Sequence, residues 1–160
     1  MVEVLVLYYS RAGRTETLAK AVAEGVVSKG GSAKIKRVDY ATVDDFICCD
    51  AIAFGSPSYF GYMAGLMKDF FDKALSVREK VTGKPAGAFT SGGLASNAAL
   101  LSLESMIASF RLEKVTSGVF SQGDPSEKDL EACRKLGESL TDRTLKRTES
   151  PKDGSVCLHP

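Results

Sequence analysis

The sequence predicts an α/β fold: a doubly wound parallel sheet with helices on both faces. Three observations carry that prediction. Short, continuous apolar runs recur along the 160 residues, as strands buried on both faces require. Amphipathic stretches separate them, in the order β-α-β-β-α-β-α-β-α, with a short link between the second and third strands. Alternation of this kind gives parallel pairing through right-handed crossovers. Finally, the first, third and fourth strands run into small or turn-forming residues just before a helical stretch, at the strand ends where open parallel sheets hold ligands.

Each element has its own signal. EVLVLYY (3–9) is β-branched and apolar throughout, a buried strand. TETLAKAVAEGVVSKG (15–30) places Leu18, Val22 and Val26 at helical spacing and stops at Gly30–Gly31. SAKIKRV (32–38) alternates and reads as a more exposed strand. DAIAFGSP (50–57) is a buried strand, AGLMKDFFDKAL (64–75) an amphipathic helix, KPAGAFTSGG (84–93) another buried strand and SNAALLSLESMIASFRL (96–112) a long helix. KVTSGVFSQG (114–123) is the fifth strand. SEKDLEACRKLGESLTDRTLKR (126–147) opens with Ser126-x-x-Asp129, a capping box with Asp in place of Glu. No internal repeat is present. Residues 1–147 form a single domain, and 148–160, rich in Pro, Gly and Ser, form a peripheral tail.

Composition narrows the function. The chain is 44% hydrophobic and 26% charged, with a formal net charge of +1. That balance gives no electrostatic footprint for nucleic acid or an anionic membrane, and it is not the acidity of a carrier that docks through a negative face. No apolar run is long enough to span a bilayer. The start, MVEVLVLYYS, lacks the basic region and cleavage site of a signal peptide, so a cytoplasmic location is expected. Cys48, Cys49, Cys133 and Cys157 form no C-x-x-C, and the Cys48–Cys49 pair reads as buried packing. Cys157 and His159 are only two ligands in a tail, so no metal site is expected.

The candidate site lies in three loops. The first, SRAGRT (10–15), supplies two hydroxyls, a glycine and a helix start, with two arginines between them. It matches neither a Walker A loop nor the G-x-G-x-x-G fingerprint. Unpaired N–H groups and the positive dipole end of a helix make such a loop suited to one phosphate. Alternatively, Ser10 or Thr15 simply caps the helix. The second, GSPSYFG (55–61), sets Tyr59 and Phe60 on a turn, where rings can flank a planar ligand or pack on a subunit. The third, TSGGLASN (90–97), offers Thr90, Ser91 and Asn97 as polar edges, with glycines that admit a flat ligand close to the backbone; the alternative is a tight turn capped by Ser96. Phosphate, rings and polar edges together describe a mononucleotide with a planar head, and flavin mononucleotide (FMN) fits it best.

These residues resemble the flavodoxin-like FMN proteins, over roughly residues 2–142. YYSRAGRTETLA is similar to their S-x-x-G-x-T phosphate loop, and GSPSYFGYMAGLMKDFFDKA to the GSP-x-Y-F-G…K-x-F-x-D segment of the WrbA-type branch, the multimeric NAD(P)H-quinone reductases. The resemblance implies a five-stranded sheet in the order 2-1-3-4-5 and non-covalent FMN. Ser10, Arg11, Ala12, Gly13, Arg14 and Thr15 would hold the phosphate; Pro57, Ser58, Tyr59, Phe60 and Gly61 would line the isoalloxazine; Thr90, Ser91, Gly92 and Gly93 would reach its pyrimidine edge or the ribityl chain. No catalytic side chain is implied, with Tyr59 the candidate for stacking on the substrate side. The branch implies NAD(P)H or a reductase as donor, a quinone or a redox protein as acceptor, and a homodimer or homotetramer.

The chain departs from the longer members of the branch. They carry an insertion and a histidine near the third loop, whereas this loop reads SGGLASNAA and the one histidine is His159. Two functions are therefore expected in competition: an FMN-dependent NAD(P)H oxidoreductase and a flavodoxin-type electron carrier. A phosphate-sensing receiver would need an aspartate after the third strand and acids after the first, where this chain has Gly55 and Ser10.

Overall fold

The computed structural model describes residues 1–149, so Cys157 and His159 lie outside the described residues. Its elements follow the expected alternation. They are β1 (Glu3–Tyr8), α1 (Arg14–Ser28), β2 (Ser32–Arg37), α2 (Val43–Cys48), β3 (Ala51–Pro57), α3 (Gly65–Ala74), α4 (Arg78–Val81), β4 (Pro85–Gly92), α5 (Ala98–Ser109), β5 (Glu113–Lys114), β6 (Val119–Gln122) and α6 (Glu127–Thr148). The strands run parallel in the order β2-β1-β3-β4-β5, with β6 also on β4. That is the doubly wound order expected.

Side-chain alternation along the strands splits the core in two. Leu5 and Leu7 of β1, with Ile52 and Phe54 of β3, pack against α2, α3, α4 and α5 through Phe46, Phe70, Phe71, Val81 and Leu103. Val4, Val6 and Tyr8, with Phe89 of β4, face α1 and α6 through Leu18, Val22, Leu136 and Leu140. The second layer depends on two helices crossing backbone to backbone. A Cβ on Gly25 of α1 would lie 1.9 Å from the Arg134 carbonyl oxygen, and one on Gly137 of α6 would lie 2.0 Å from that of Val22.

Three expectations are corrected. The fifth strand is two short strands on the same edge of β4. Glu113 pairs with Pro85 and Val119 with Phe89, so the register advances by two residues between them. Gly118 marks the break: a Cβ there would lie 2.5 Å from Leu100 Cδ1. The short link after β2 contains α2, closed by a capping box between Thr42 and Asp45. The helix expected over 96–112 is Ala98–Ser109. It ends where Arg111 turns left-handed (φ 56°) and Leu112 N–H reaches back to the Ile107 carbonyl at 3.0 Å.

Candidate functional site

The parallel registers bring the carboxyl ends of β1, β3, β4 and β6 to one edge: Tyr8 beside Gly55, Pro57 beside Ser91, Gly92 beside Gln122. The loops leaving that edge build a cleft of about 230 Å³. Its walls are Ser10, Arg11, Ala12, Arg14, Thr15, Pro57, Ser58, Tyr59, Ser91, Gly92 and Gly93. Eleven of the expected site residues thus meet. Gly13, Phe60, Gly61 and Thr90 stand off its lining.

The first loop closes on itself. Gly13 N–H donates to Ser10 Oγ at 3.0 Å. Gly13 then takes φ 94°, a backbone that favours glycine, and starts α1 with no side-chain cap. The first helical bond is Thr17 N–H to the Gly13 carbonyl, 3.1 Å, so the N–H groups of Arg14, Thr15 and Glu16 precede any intrahelical acceptor. Ser10 and Thr15 are therefore not the helix cap. Thr15 is instead buried, its Oγ1 sharing a hydrogen bond with Ser91 Oγ at 2.9 Å, which ties the first loop to the third. Arg14 Nε pairs with Asp124 at 3.0 Å, an acid on the loop after β6. Arg11 makes no ion pair among the described residues.

The second loop is a two-residue hairpin. Tyr59 and Tyr62 exchange backbone bonds of 2.9 and 3.0 Å, with Phe60 at φ 53° and Gly61 at φ 72° between them. Phe60 is fully exposed at the tip, so its ring faces water and not the cleft. Tyr59 remains half-buried and meets Tyr9 edge-on, ring centres 6.3 Å apart. Burial, and then the neighbouring Tyr9, push the Tyr59 phenol above its ordinary value, so it stands neutral at pH 7.

The third loop crowds against the second. Ser58 N–H donates to the Ser91 carbonyl at 2.7 Å, and a Cβ on Gly92 would come within 3.2 Å of Ser58 Cβ. A side chain at position 92 would therefore press on Ser58, which would have to give by a few tenths of an ångström. Alternation puts Thr90 on the sheet face opposite Ser91. Its Oγ1 is buried with no hydrogen-bond partner among the described residues.

Three contributors had no sequence signal: Arg37, Tyr9 and Asp124. Arg37 Nη1 donates to the Ser10 carbonyl at 2.8 Å, and its guanidinium lies 5.5 Å from the centre of the Tyr9 ring. Elsewhere, burial pushes the thiols of Cys49 and Cys133 up to about 12, which keeps them protonated and unreactive. No cluster of three metal-ligating side chains occurs among the described residues.

An uncapped helix start, a neutral tyrosine and the glycine-bearing end of β4 in one cleft fit a phosphate joined to a planar ring. Independently, a sequence model described as Flavodoxin matches residues 6–157. The chain belongs to the flavodoxin family. A protein named "Flavodoxin" from Aquifex aeolicus (strain VF5) is 36% identical, covering 89% of this chain and 86% of its own. An "NAD(P)H dehydrogenase (quinone)" from Caulobacter vibrioides (strain NA1000 / CB15N) is 33% identical over 91% of this chain and 98% of its own. The solved WrbA-like flavodoxin from Agrobacterium tumefaciens superposes with a TM-score of 0.80 at 25% identity, covering 91% of this chain and 99% of that one. As a member of this family the chain is an FMN flavoprotein and a redox protein of the oxidoreductase class. No helix among the described residues of this flavodoxin-family protein is long and apolar enough to cross a membrane.

Proposed function

We propose that the chain carries electrons from NAD(P)H, through FMN held in the three-loop cleft, to a quinone-type acceptor. One observation supports this above the others: the loops after β1, β3 and β4 share a cleft whose lining joins an uncapped helix start to Tyr59. The relatives named as NAD(P)H dehydrogenases (quinone) supply the donor and acceptor classes.

The residues divide the work. Backbone N–H groups at the start of α1, with the hydroxyls of Ser10 and Thr15, bind the phosphate, because a helix start presents donors and positive potential together. Arg11 and Arg14 add charge at the cleft wall. Pro57, Ser58 and Tyr59 flank the ring, while Ser91, Gly92 and Gly93 let it approach the backbone. Phe60, Gly61 and Thr90 act from outside the lining: the first two shape the hairpin that carries Tyr59, and Thr90 extends the strand that carries Ser91. Bound there, the flavin supplies hydride and electron transfer. The protein needs no acid or base of its own, and Tyr59 stacks on the substrate side.

A second reading keeps the cofactor and puts proteins at both ends. The 36% identity to the Aquifex flavodoxin favours it. So does the 196-residue span of the Caulobacter alignment, longer than this chain, which means the quinone dehydrogenase carries insertions that this chain lacks. One preparation separates the readings. Purified protein is expected to be yellow and to oxidise NADH or NADPH in the presence of a soluble quinone. Yellow protein inert to both nicotinamides, yet reduced by a reductase, favours the carrier. Colourless protein that takes up no added FMN overturns both.

A further inference from the structure

Arg37 closes β2, the edge strand beside β1, and it is bonded through every nitrogen of its guanidinium. Nη1 donates to the Ser10 carbonyl at 2.8 Å. Nε and Nη2 donate to the two oxygens of Asp39, each at 3.2 Å. Its carbon lies 5.5 Å from the Tyr9 ring centre and 6.0 Å from that of Tyr8. A solvated pair with Asp39 would need neither the carbonyl nor the rings. Ser10, the residue Arg37 grips, also holds the turn that launches α1, through its hydroxyl on Gly13 N–H. The turn from Ser10 to Gly13 is thus pinned at a carbonyl from the β2 side and at a hydroxyl from within. Its orientation sets where the free N–H groups of Arg14 and Thr15 aim.

We propose that Arg37 is a positioning residue for the phosphate of FMN: it fixes the Ser10–Gly13 turn so that the open start of α1 faces the cleft, and it acts through geometry, not through its charge. This rests on the phosphate reading of the first loop. The charge is already spent, because the fork to Asp39 makes a neutral unit, and Arg37 is absent from the cleft wall that Arg11 and Arg14 line. Salt screens the charges a phosphate feels across solvent. It does little to a turn held by a carbonyl bond.

The test titrates cofactor-free protein with FMN and with riboflavin, following flavin fluorescence over a range of salt. Arg37→Met keeps an unbranched stem over the tyrosines and loses the fork. FMN affinity is expected to fall about tenfold, the effect of one lost hydrogen bond to a charged group. Riboflavin affinity should change by less than about twofold, and the slope of log Kd against log salt should match that of the unmodified protein. Arg37→Lys, which keeps the charge without the fork, should fall as far. Arg11→Gln provides the contrast: Arg11 lines the cleft and makes no ion pair among the described residues, so its loss should flatten the salt slope. Unchanged FMN affinity in Arg37→Met overturns the proposal. So does full affinity in Arg37→Lys with a flattened slope in Arg37→Met, which would assign the role to charge. Equal loss of FMN and riboflavin binding together with a lowered melting temperature would make Arg37 merely structural and also overturns it. Unmodified protein that binds riboflavin as tightly as FMN overturns the phosphate reading itself, a separate result.

Discussion

Two helix starts on the same edge of the sheet meet opposite fates. At α6, Ser126 Oγ accepts from Asp129 N–H at 3.2 Å, and the Asp129 carboxylate accepts from Ser126 N–H at 2.9 Å and from Ser121 Oγ at 3.0 Å. The same closure recurs at α2 between Thr42 and Asp45. At α1, the flanking residue is Gly13, left-handed and without a side-chain cap. All three helices begin with the same orphan donors. Where side chains satisfy them, the start is structure. Where a glycine leaves them open beside a cleft, the start is available to a ligand. The distinction lies in the cap, not in the helix.

Three changes test that contrast. The largest effect is expected at the open start. Ser10→Ala with Thr15→Ala removes the two hydroxyls proposed to hold the phosphate, each then worth about 1.5–3 kcal/mol. FMN affinity should fall by about two to four powers of ten in fluorescence titration while circular dichroism shows the fold intact. Unchanged affinity would make the loop a turn and nothing more.

Next comes the closed start of α2. Asp45 is buried and takes Lys34 and Lys36 at 2.7 and 2.8 Å. Burial alone would raise its carboxyl, yet the two ammonium groups and the Thr42 N–H hold it well below the ordinary range. A depressed folded value means stability present above the unfolded value, about 4, and lost as pH falls below it. Asp45→Ala should destabilise by about 2–3 kcal/mol at pH 7, through the lost cap and the uncompensated lysines. Urea melts should show that gap shrinking steadily from pH 4 downward. A gap that is constant with pH would mean the charge contributes nothing.

The smallest change is Ser126→Ala at α6, about 1 kcal/mol in the same melts, with FMN affinity unmoved. A drop in affinity there would break the contrast, because a closed start would then be serving the cofactor.

The first four strands and the three loops were legible because short apolar runs and turn residues are local signals; the split of the fifth strand into β5 and β6 was not, since no such signal marks the two-residue slip near Gly118. Eleven residues of the cleft wall were legible too, since register follows once parallel pairing is known. Helix α2 was hidden by its length, six residues carrying too little periodicity. Thr42-x-x-Asp45 was nevertheless there to read, with the spacing of Ser126-x-x-Asp129. Phe60 and Thr90 could not be excluded from the cleft by composition. A positive φ sends one ring outward, and strand alternation turns the other side chain to the far face. Arg37 was invisible for a different reason: its partner Ser10 lies 27 residues away, and no spacing rule links an edge strand to a loop on its neighbour.

The bare-backbone crossing of Gly25 and Gly137 has a consequence in time. The cradle at the start of α1 belongs to the first fifteen residues, but α1 is clamped from behind only when α6 arrives. During synthesis the loops after β1, β3 and β4 all emerge before Gly137 does. Cofactor binding that needs a clamped α1 would therefore wait for α6, and a ribosome-stalled fragment ending before α6 is expected to stay colourless in added flavin; a yellow fragment would show that the three loops suffice.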